Sequence, residues 1–258
     1  IQSLLSVGVW LLYYYWKGGS VLEWEEIIDA LFSLCVDTSE LVLPYFYSQQ
    51  DLQQQVKSDN TICTIADRLA NEKIHQALSE WTPQYPIISE ELEAAHYSTR
   101  QSWERCWLVD PLDGTRGFIA KMPEFSINIA LIDRHQPVVG VIYIPTTGQF
   151  FYAAQGQGAF LKHDGLVKAL STRVCDVSEE WTMTVSHFFS ASLQKQMEAY
   201  PQVSVQHANS ALKLAHVAAG MADIYPRFGP TSEWDTAAGQ CILEEAGGAV
   251  LDFTGQSL

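Results

Sequence analysis

Positive charge is the scarcest commodity in this sequence of 258 residues: 15 Lys and Arg stand against 30 Asp and Glu, a formal net charge of −15. A field of that sign repels polyanions and argues against a nucleic acid polymer as partner, while a small anion can still bind where metal ions reverse the local sign. Cysteine patterns are equally thin. Cys35, Cys63, Cys106, Cys175 and Cys241 are odd in number and scattered, with no CxxC spacing, which argues against a disulfide framework or a zinc site and for a reducing cytoplasm. No Cys-x5-Arg nucleophile loop is present. A long apolar run is lacking as well. Ile1 to Trp16 is apolar and aromatic, but 16 residues fall short of a spanning helix and lack the basic start and cleavage site of a signal peptide. Residues 1–20, closing on Lys17-Gly18-Gly19-Ser20, are read as a segment apart from the globular part, either upstream sequence or the remnant of a membrane anchor.

What is present is ample apolar material, 47% of residues, enough for one large or two modest domains. From Val21 to Phe46 apolar positions recur at helical spacing, and a second helix is predicted from about Asp67 to Trp81. Short apolar runs at Tyr85–Ser89, Cys106–Val109, Ser126–Ile132, Val138–Ile144 and Phe150–Ala153, separated by turn residues, predict a largely antiparallel sheet. The rhythm then changes. Strands at Thr182–Val185, Val203–Val205, Ala222–Tyr225 and Ala249–Asp252 alternate with helices at Ala191–Ala199, Ser210–Ala219 and Asp235–Ala246, the pattern of an α/β layer. Two halves are expected, 21–172 and 173–258, and a cleft between such halves is a favoured ligand site. Gly156-Gln157-Gly158 lacks the further glycine of a dinucleotide loop and sits among hairpin signals.

Strand-like Trp107-Leu108-Val109 is followed directly by Asp110-Pro111-Leu112-Asp113-Gly114-Thr115. Two carboxylates three residues apart, with Pro111 stiffening the turn, can converge on one point. Such a pair repels itself unless a cation lies between, and oxygen-only ligation suits Mg²⁺. Gly114 admits close backbone approach, and N–H groups at Gly114-Thr115 can cradle a phosphate oxygen at a short helix start. An acidic hairpin turn would explain these six residues alone. Three other elements stand beside them. Ile87-Ile88-Ser89-Glu90-Glu91 is a second strand ending in acids, where Glu90 or Glu91 can complete a cation's shell or simply be solvated. In Ser232-Glu233-Trp234-Asp235, Asp235 opens a small-residue helix and on its own reads as an N-cap. Lys57-Ser58-Asp59-Asn60 leads to Thr64-Ile65-Ala66-Asp67, where Asp67 on its own is a helix-start residue.

Together, in this order and spacing, the four elements resemble the inositol monophosphatase family of Mg²⁺-dependent, lithium-sensitive phosphatases, whose D-P-[IL]-D-G-T run and later W-D are both present. The resemblance runs from about Val21 to Leu258. It implies a layered α/β fold, the sugar-phosphatase-like α-β-α-β-α sandwich. It implies Glu90, Asp110, Asp113, Asp235 and the main-chain carbonyl of Leu112 as ligands of two or more Mg²⁺ ions, with Li⁺ inhibiting and Glu91 the less favoured of the acidic pair. The implied mechanism is in-line attack on phosphorus by an activated water, without a phosphoenzyme. Thr115 paired with Asp67, helped by Glu90, would orient and deprotonate that water. A monomer or homodimer is expected, with membrane association at most peripheral on the cytoplasmic face.

The substrate rests on the later half. Gly114, Thr115, Ser210, Lys213, Arg227 and Asp235 are the expected substrate contacts. Arg227 stands where inositol monophosphatases usually carry an acid for sugar hydroxyls, and a guanidinium can grip a second phosphate bidentately. Lys213 adds a second cation, although each of the two could equally be a surface charge. Tyr225-Pro226-Arg227-Phe228-Gly229-Pro230-Thr231 resembles the bacterial 3'(2'),5'-bisphosphate nucleotidases of the family. That branch removes the 3'-phosphate of adenosine 3',5'-bisphosphate, the by-product of sulfate activation, to give AMP, with 3'-phosphoadenylyl sulfate a second substrate. An inositol or sugar phosphatase, and a silent homologue that binds metal or nucleotide without turnover, remain alternatives. Two departures stand out: Thr61-Ile62-Cys63-Thr64 lacks the family's proline before the helix of Asp67, and the sequence as given stops at Leu258, short of a further loop and strand, which would leave a sheet edge unpaired.

Overall fold

The computed structural model describes residues 24–48, 51–57, 61–93, 95–175, 180–187 and 203–258. The first periodic run forms one helix, α1 (Trp24–Tyr47), with Glu25 and Glu26 offsetting the positive end of its dipole and Leu31, Leu34, Cys35 and Val42 among its buried residues. Pro44 lies in the last turn, and the Lys121 ammonium donates to the carbonyls of Tyr45, Phe46 and Ser48 at 2.9, 2.7 and 3.0 Å. A clasp of that kind satisfies acceptors that a helix end leaves open. A two-residue hairpin, β1 (Gln55–Val56) with β2 (Ile62–Cys63), precedes α2 (Ile65–Trp81).

Seven strands then form one sheet in chain order: β3 (Ile87–Ser89), β4 (Arg105–Asp113), β5 (Ser126–Asp133), β6 (Gln136–Ile144), β7 (Gln149–Ala154), β8 (Gly158–His163) and β9 (Leu166–Ala169). Every pairing is antiparallel except β3 with β4. The five predicted runs are all strands, and the sheet is antiparallel as expected. Strands β8 and β9 were not predicted, because β9 is exposed throughout and leaves no apolar alternation to read. Gly156-Gln157-Gly158 turns β7 into β8, its N–H groups held at 2.8 Å by the Glu245 carboxylate. Short helices α3 (Tyr97–Arg100) and α4 (Thr115–Ile119) flank β4 in the chain.

Both faces of the sheet are covered. Trp107, Val109, Ile127, Ile129, Val141 and Phe150 pack on Leu31, Leu34, Ile74 and Leu78 of α1 and α2. Leu108, Ala130, Ile142 and Phe151 face α5 (Leu212–Ala218) and α6 (Glu233–Glu245) through Leu212, Ala238 and Ile242. Beyond α5 lie β10 (Trp181–Val185) and β11 (Val203–His207), a parallel pair. The layers thus run helices, sheet, helices, sheet; the helix predicted over Ala191–Ala199 falls outside the described residues, as do 1–20 and the start of the helix predicted from Val21. No helix among the described residues is long and apolar enough to cross a membrane.

Three late elements differ from expectation. Ala222–Tyr225 is no strand but makes a single bridge, Ile224 to Met183, since Pro226 ends the run and the Asp223 carboxylate is bound to Arg173 and to the Thr182 N–H. Ala249–Asp252 is likewise one bridge, Leu251 to Ser257, around a turn in which Asp252 accepts from the N–H groups of Thr254 and Gln256. Helix α5 starts at Leu212, because Ser210 is left-handed at φ 56°.

Helix α6 seats on β6 at Gly140, where a Cβ would lie 2.5 Å from the Ala238 carbonyl oxygen and 2.8 Å from Cys241 Cβ. Gly140→Ala should therefore cost about 1–3 kcal/mol through backbone displacement. Urea denaturation would check this, and an unchanged midpoint would contradict the close seat.

Candidate metal and phosphate site

The run Asp110–Thr115 is not a free turn but the end of β4. Asp110 pairs with Asn128 and Asp113 with Ser126, so three steps of β4 are matched by two of β5. Pro111 has no N–H to give the ladder, which makes this the natural place for a bulge. The extra residue matters for chemistry. In a regular strand residues three apart face opposite sides, and one bulged residue brings them round to the same side. Asp110 and Asp113 do line one cleft. The Leu112 N–H donates to Asp110 Oδ1 at 3.1 Å, and the Asn128 amide donates to Asp113 Oδ2 at 3.2 Å. Gly114, at φ 95°, then caps α4, and a Cβ there would collide with Ser210 Oγ.

Asp67 and Asp235 are held by the same device. Each is the third residue of its helix in a capping box: Asp67 Oδ2 accepts from the Thr64 N–H at 2.7 Å, and Asp235 Oδ2 from the Ser232 N–H at 3.1 Å. Both were expected at a helix start; α2 begins two residues before Asp67 and α6 two before Asp235, which makes them capping partners rather than first residues. In each, Oδ1 remains for other partners. Asp67 Oδ1 accepts from Thr115 Oγ1 at 2.9 Å, and Thr115 Oγ1 also lies 3.2 Å from the Leu112 carbonyl.

Glu90 and Glu91 share one cation. Lys57 Nζ lies 2.7 Å from Glu91 Oε1 and 3.4 Å from Glu90 Oε1, so the tighter ion pair belongs to Glu91. Glu90 lines the cleft with Asp110 and Asp113. Its carboxyl is pushed up to about 7, first by burial and then by Glu91, Asp113 and Asp235, against Lys57. Burial, then Asp113 and Glu90, raises Asp110, which is only 1% exposed. Burial likewise raises Asp113, against Lys213.

Lys213, which lines the same cleft, is buried, 3% exposed, and donates to the Ser210 carbonyl at 2.5 Å; burial lowers its ammonium to about 8, against Asp113. It is therefore no surface charge. Arg227 is exposed, tethered to the Pro230 carbonyl at 2.7 Å and bonded to the Tyr225 hydroxyl. Ser210 Oγ faces the carbonyls of Asp113 at 2.7 Å and Glu124 at 2.9 Å, so its single proton is engaged by backbone and it offers a ligand only lone pairs.

These elements border an open cleft of about 1020 Å³, whose wall includes Glu90, Asp110, Asp113, Gly114, Thr115, Ser210, Lys213, Arg227 and Asp235. Leu112 is buried against Phe118 and Phe125, and Asp67 stands behind Thr115. Lys57-Ser58-Asp59-Asn60 lies partly outside the described residues. Two supporting residues were missed: Asn128, and Glu124, whose carboxylate accepts from the Asn209 N–H and pairs with His187, both at 3.0 Å. The signal for Asn128 was available, a polar residue on a strand buried along both faces.

The donor set fits a hard divalent cation. Asp110, Asp113 and Asp235 form no salt bridge among the described residues, although Asp113 lies in the field of Lys213, and carboxylates that share one cleft with so little countercharge are what Mg²⁺ binds. The described side chains are not drawn into a closed cluster of three ligands. An open arrangement suits Mg²⁺, which keeps waters and takes oxygens from its substrate.

A model of the inositol monophosphatase family matches residues 23–258. The 3'(2'),5'-bisphosphate nucleotidase CysQ of Escherichia coli K12 is 35% identical over 232 residues, 90% of this chain and 93% of that protein. Among solved structures, CysQ from Bacteroides thetaiotaomicron superposes with a TM-score of 0.72 at 31% identity, covering 88% of this chain and 89% of its own. The Thermotoga maritima IMPase superposes with a TM-score of 0.78 at 26% identity over 90% and 88%.

Proposed function

The chain belongs to the inositol monophosphatase family, and from that premise we propose that it is a 3'(2'),5'-bisphosphate nucleotidase, hydrolysing the 3'-phosphate of adenosine 3',5'-bisphosphate to AMP and phosphate. One observation carries the reading: the cleft that gathers the carboxylates also presents two cations, Lys213 and Arg227. An ester with a single phosphate on a polyol needs no such pair, whereas a second phosphate does. The relatives named as bisphosphate nucleotidases support the same substrate class. The odd number of cysteines and their lack of CxxC spacing support a reducing, cytoplasmic setting.

Glu90, Asp110, Asp113, Asp235 and the Leu112 carbonyl would hold two or more Mg²⁺ ions. Bound there, the metal supplies Lewis acidity toward the phosphoryl oxygens and toward the attacking water. The chain's own residues do the rest. Thr115 Oγ1, its proton committed to Asp67 Oδ1, turns lone pairs to the water's O–H. The proton taken at Thr115 is passed on to Asp67, whose carboxyl is raised by burial and so accepts it more readily. Glu90 is a second acceptor on the same wall. Gly114 leaves the space that Ser210 Oγ fills, Ser210 clasps the Asp113 and Glu124 carbonyls so that this backbone holds its shape, and Lys213 and Arg227 anchor the spectator phosphate.

With Mg²⁺ present, the protein should turn over adenosine 3',5'-bisphosphate well ahead of inositol 1-phosphate. Arg227→Ala should lower kcat/KM for the bisphosphate roughly ten- to a hundredfold, the worth of hydrogen bonds to a charged group. Turnover of inositol 1-phosphate should not change. A clear preference of the unaltered protein for the inositol ester would sink the nucleotidase reading.

A further inference from the structure

Beside Arg227 the rim of the cleft changes character. Phe228 and Phe253 are 45% and 78% exposed, yet Phe118, Phe125 and Phe150 elsewhere in the chain are wholly buried. The two exposed rings stack on each other with centroids 5.0 Å apart and 20° between their planes. Both line the cleft that also carries Asp110, Lys213 and Arg227. They come from separate segments. Phe228 lies in the loop between Pro226 and Pro230, tied by the Arg227 bond to the Pro230 carbonyl, and Phe253 lies in the turn closed by Asp252. Two loops meet ring on ring in solvent, and the outer face of the stacked pair is a flat aromatic surface that forgoes the burial a core position would give it.

We propose that the Phe228–Phe253 pair is the subsite for the base of the nucleotide, with purine preferred over pyrimidine. The inference rests on the nucleotidase reading and adds the part of the substrate that the phosphate contacts do not address. Carboxylates answer one phosphate, Lys213 and Arg227 the other; the Tyr225 ring in the same lining already carries the Lys213 ammonium, and the stacked rim offers a face for a flat π-system. An inositol ring has no planar face to stack. Every base has one, and stacking strength rather than hydrogen bonding grades the preference.

The test compares adenosine 3',5'-bisphosphate with the abasic 1-deoxyribose 3,5-bisphosphate, in the full chain with Mg²⁺. The unaltered protein should show a KM about tenfold lower for the adenosine compound. Phe228→Ala and Phe253→Ala should raise that KM by about the same factor, leave kcat unchanged and leave the abasic KM untouched. Phe228→Trp should restore the low KM. Equal KM values for both bisphosphates in the unaltered protein, or an equal loss on both in the variants, would overturn the base subsite alone. A protein that hydrolyses inositol 1-phosphate and neither bisphosphate would overturn the nucleotidase reading and the base subsite with it. Both rings are exposed, so melting curves of the variants should match that of the unaltered protein.

Discussion

Asp113→Asn should lower Mg²⁺-dependent phosphate release by about a thousandfold or more, because a lost metal ligand removes several kcal/mol of charge stabilisation and each 1.36 kcal/mol is a factor of ten. The fold should survive. Burial disfavours the Asp113 charge, and Asp235 and Glu90 add to this against the opposing field of Lys213, with its carboxyl raised on balance. Removing that charge relieves repulsion, so without metal the variant should melt no lower than the parent. Added Mg²⁺ separates a metal role from a structural one. Ligand binding to the native state raises stability by RT ln(1 + [L]/Kd), so the parent's melting temperature should climb with Mg²⁺ and the variant's should climb far less. Unchanged phosphate release in the variant would remove the metal reading altogether.

Thr115→Val should lower kcat by about a hundredfold or more, the low end of what a positioned proton acceptor contributes. The substitution keeps the shape and deletes Oγ1, so the 2.9 Å bond to Asp67 and the lone pairs facing the cleft disappear together. KM should hardly move, because the spectator phosphate is held by other residues. Thr115→Ser keeps the hydroxyl and should recover most of the rate. Asp67 keeps its Thr64 partners in either variant, so α2 retains its cap. Single-turnover kinetics would separate the effects, and a valine variant with normal kcat would exclude Thr115 from water activation.

The long helices and the strands buried on both faces were legible because their apolar positions repeat over many residues. Strand β9 was not, being exposed on every residue, and β1 and β2 are two residues each, too short for any period. At Ala222–Tyr225 and Ala249–Asp252 the composition suits strands, yet carboxylates bonded to nearby N–H groups give each segment another use. In the site, residue types were readable and geometry was not. Asp110 and Asp113 stand out by spacing, but only the pairing with β5 reveals the bulge that turns them to one side. The Thr115–Asp67 hydrogen bond, implied by family resemblance, joins residues 48 apart that no local pattern connects. Ser210 shows the converse: its type fits a phosphate contact, while its proton is held by the Asp113 and Glu124 carbonyls.

The seat of α6 on Gly140 has a bearing on motion. Backbone touching backbone leaves no lubricating layer of side chains, so α6 cannot slide along β6 as shear movements require. Asp235 on that helix and Asp110 on the neighbouring sheet then act as the jaws of a vice with a welded frame. Entry and exit must be managed by the loops at the mouth, 225–231 and 251–256. Amide hydrogen exchange should accordingly divide this molecule between a slow frame, β4 to β7 with α6, and a fast rim.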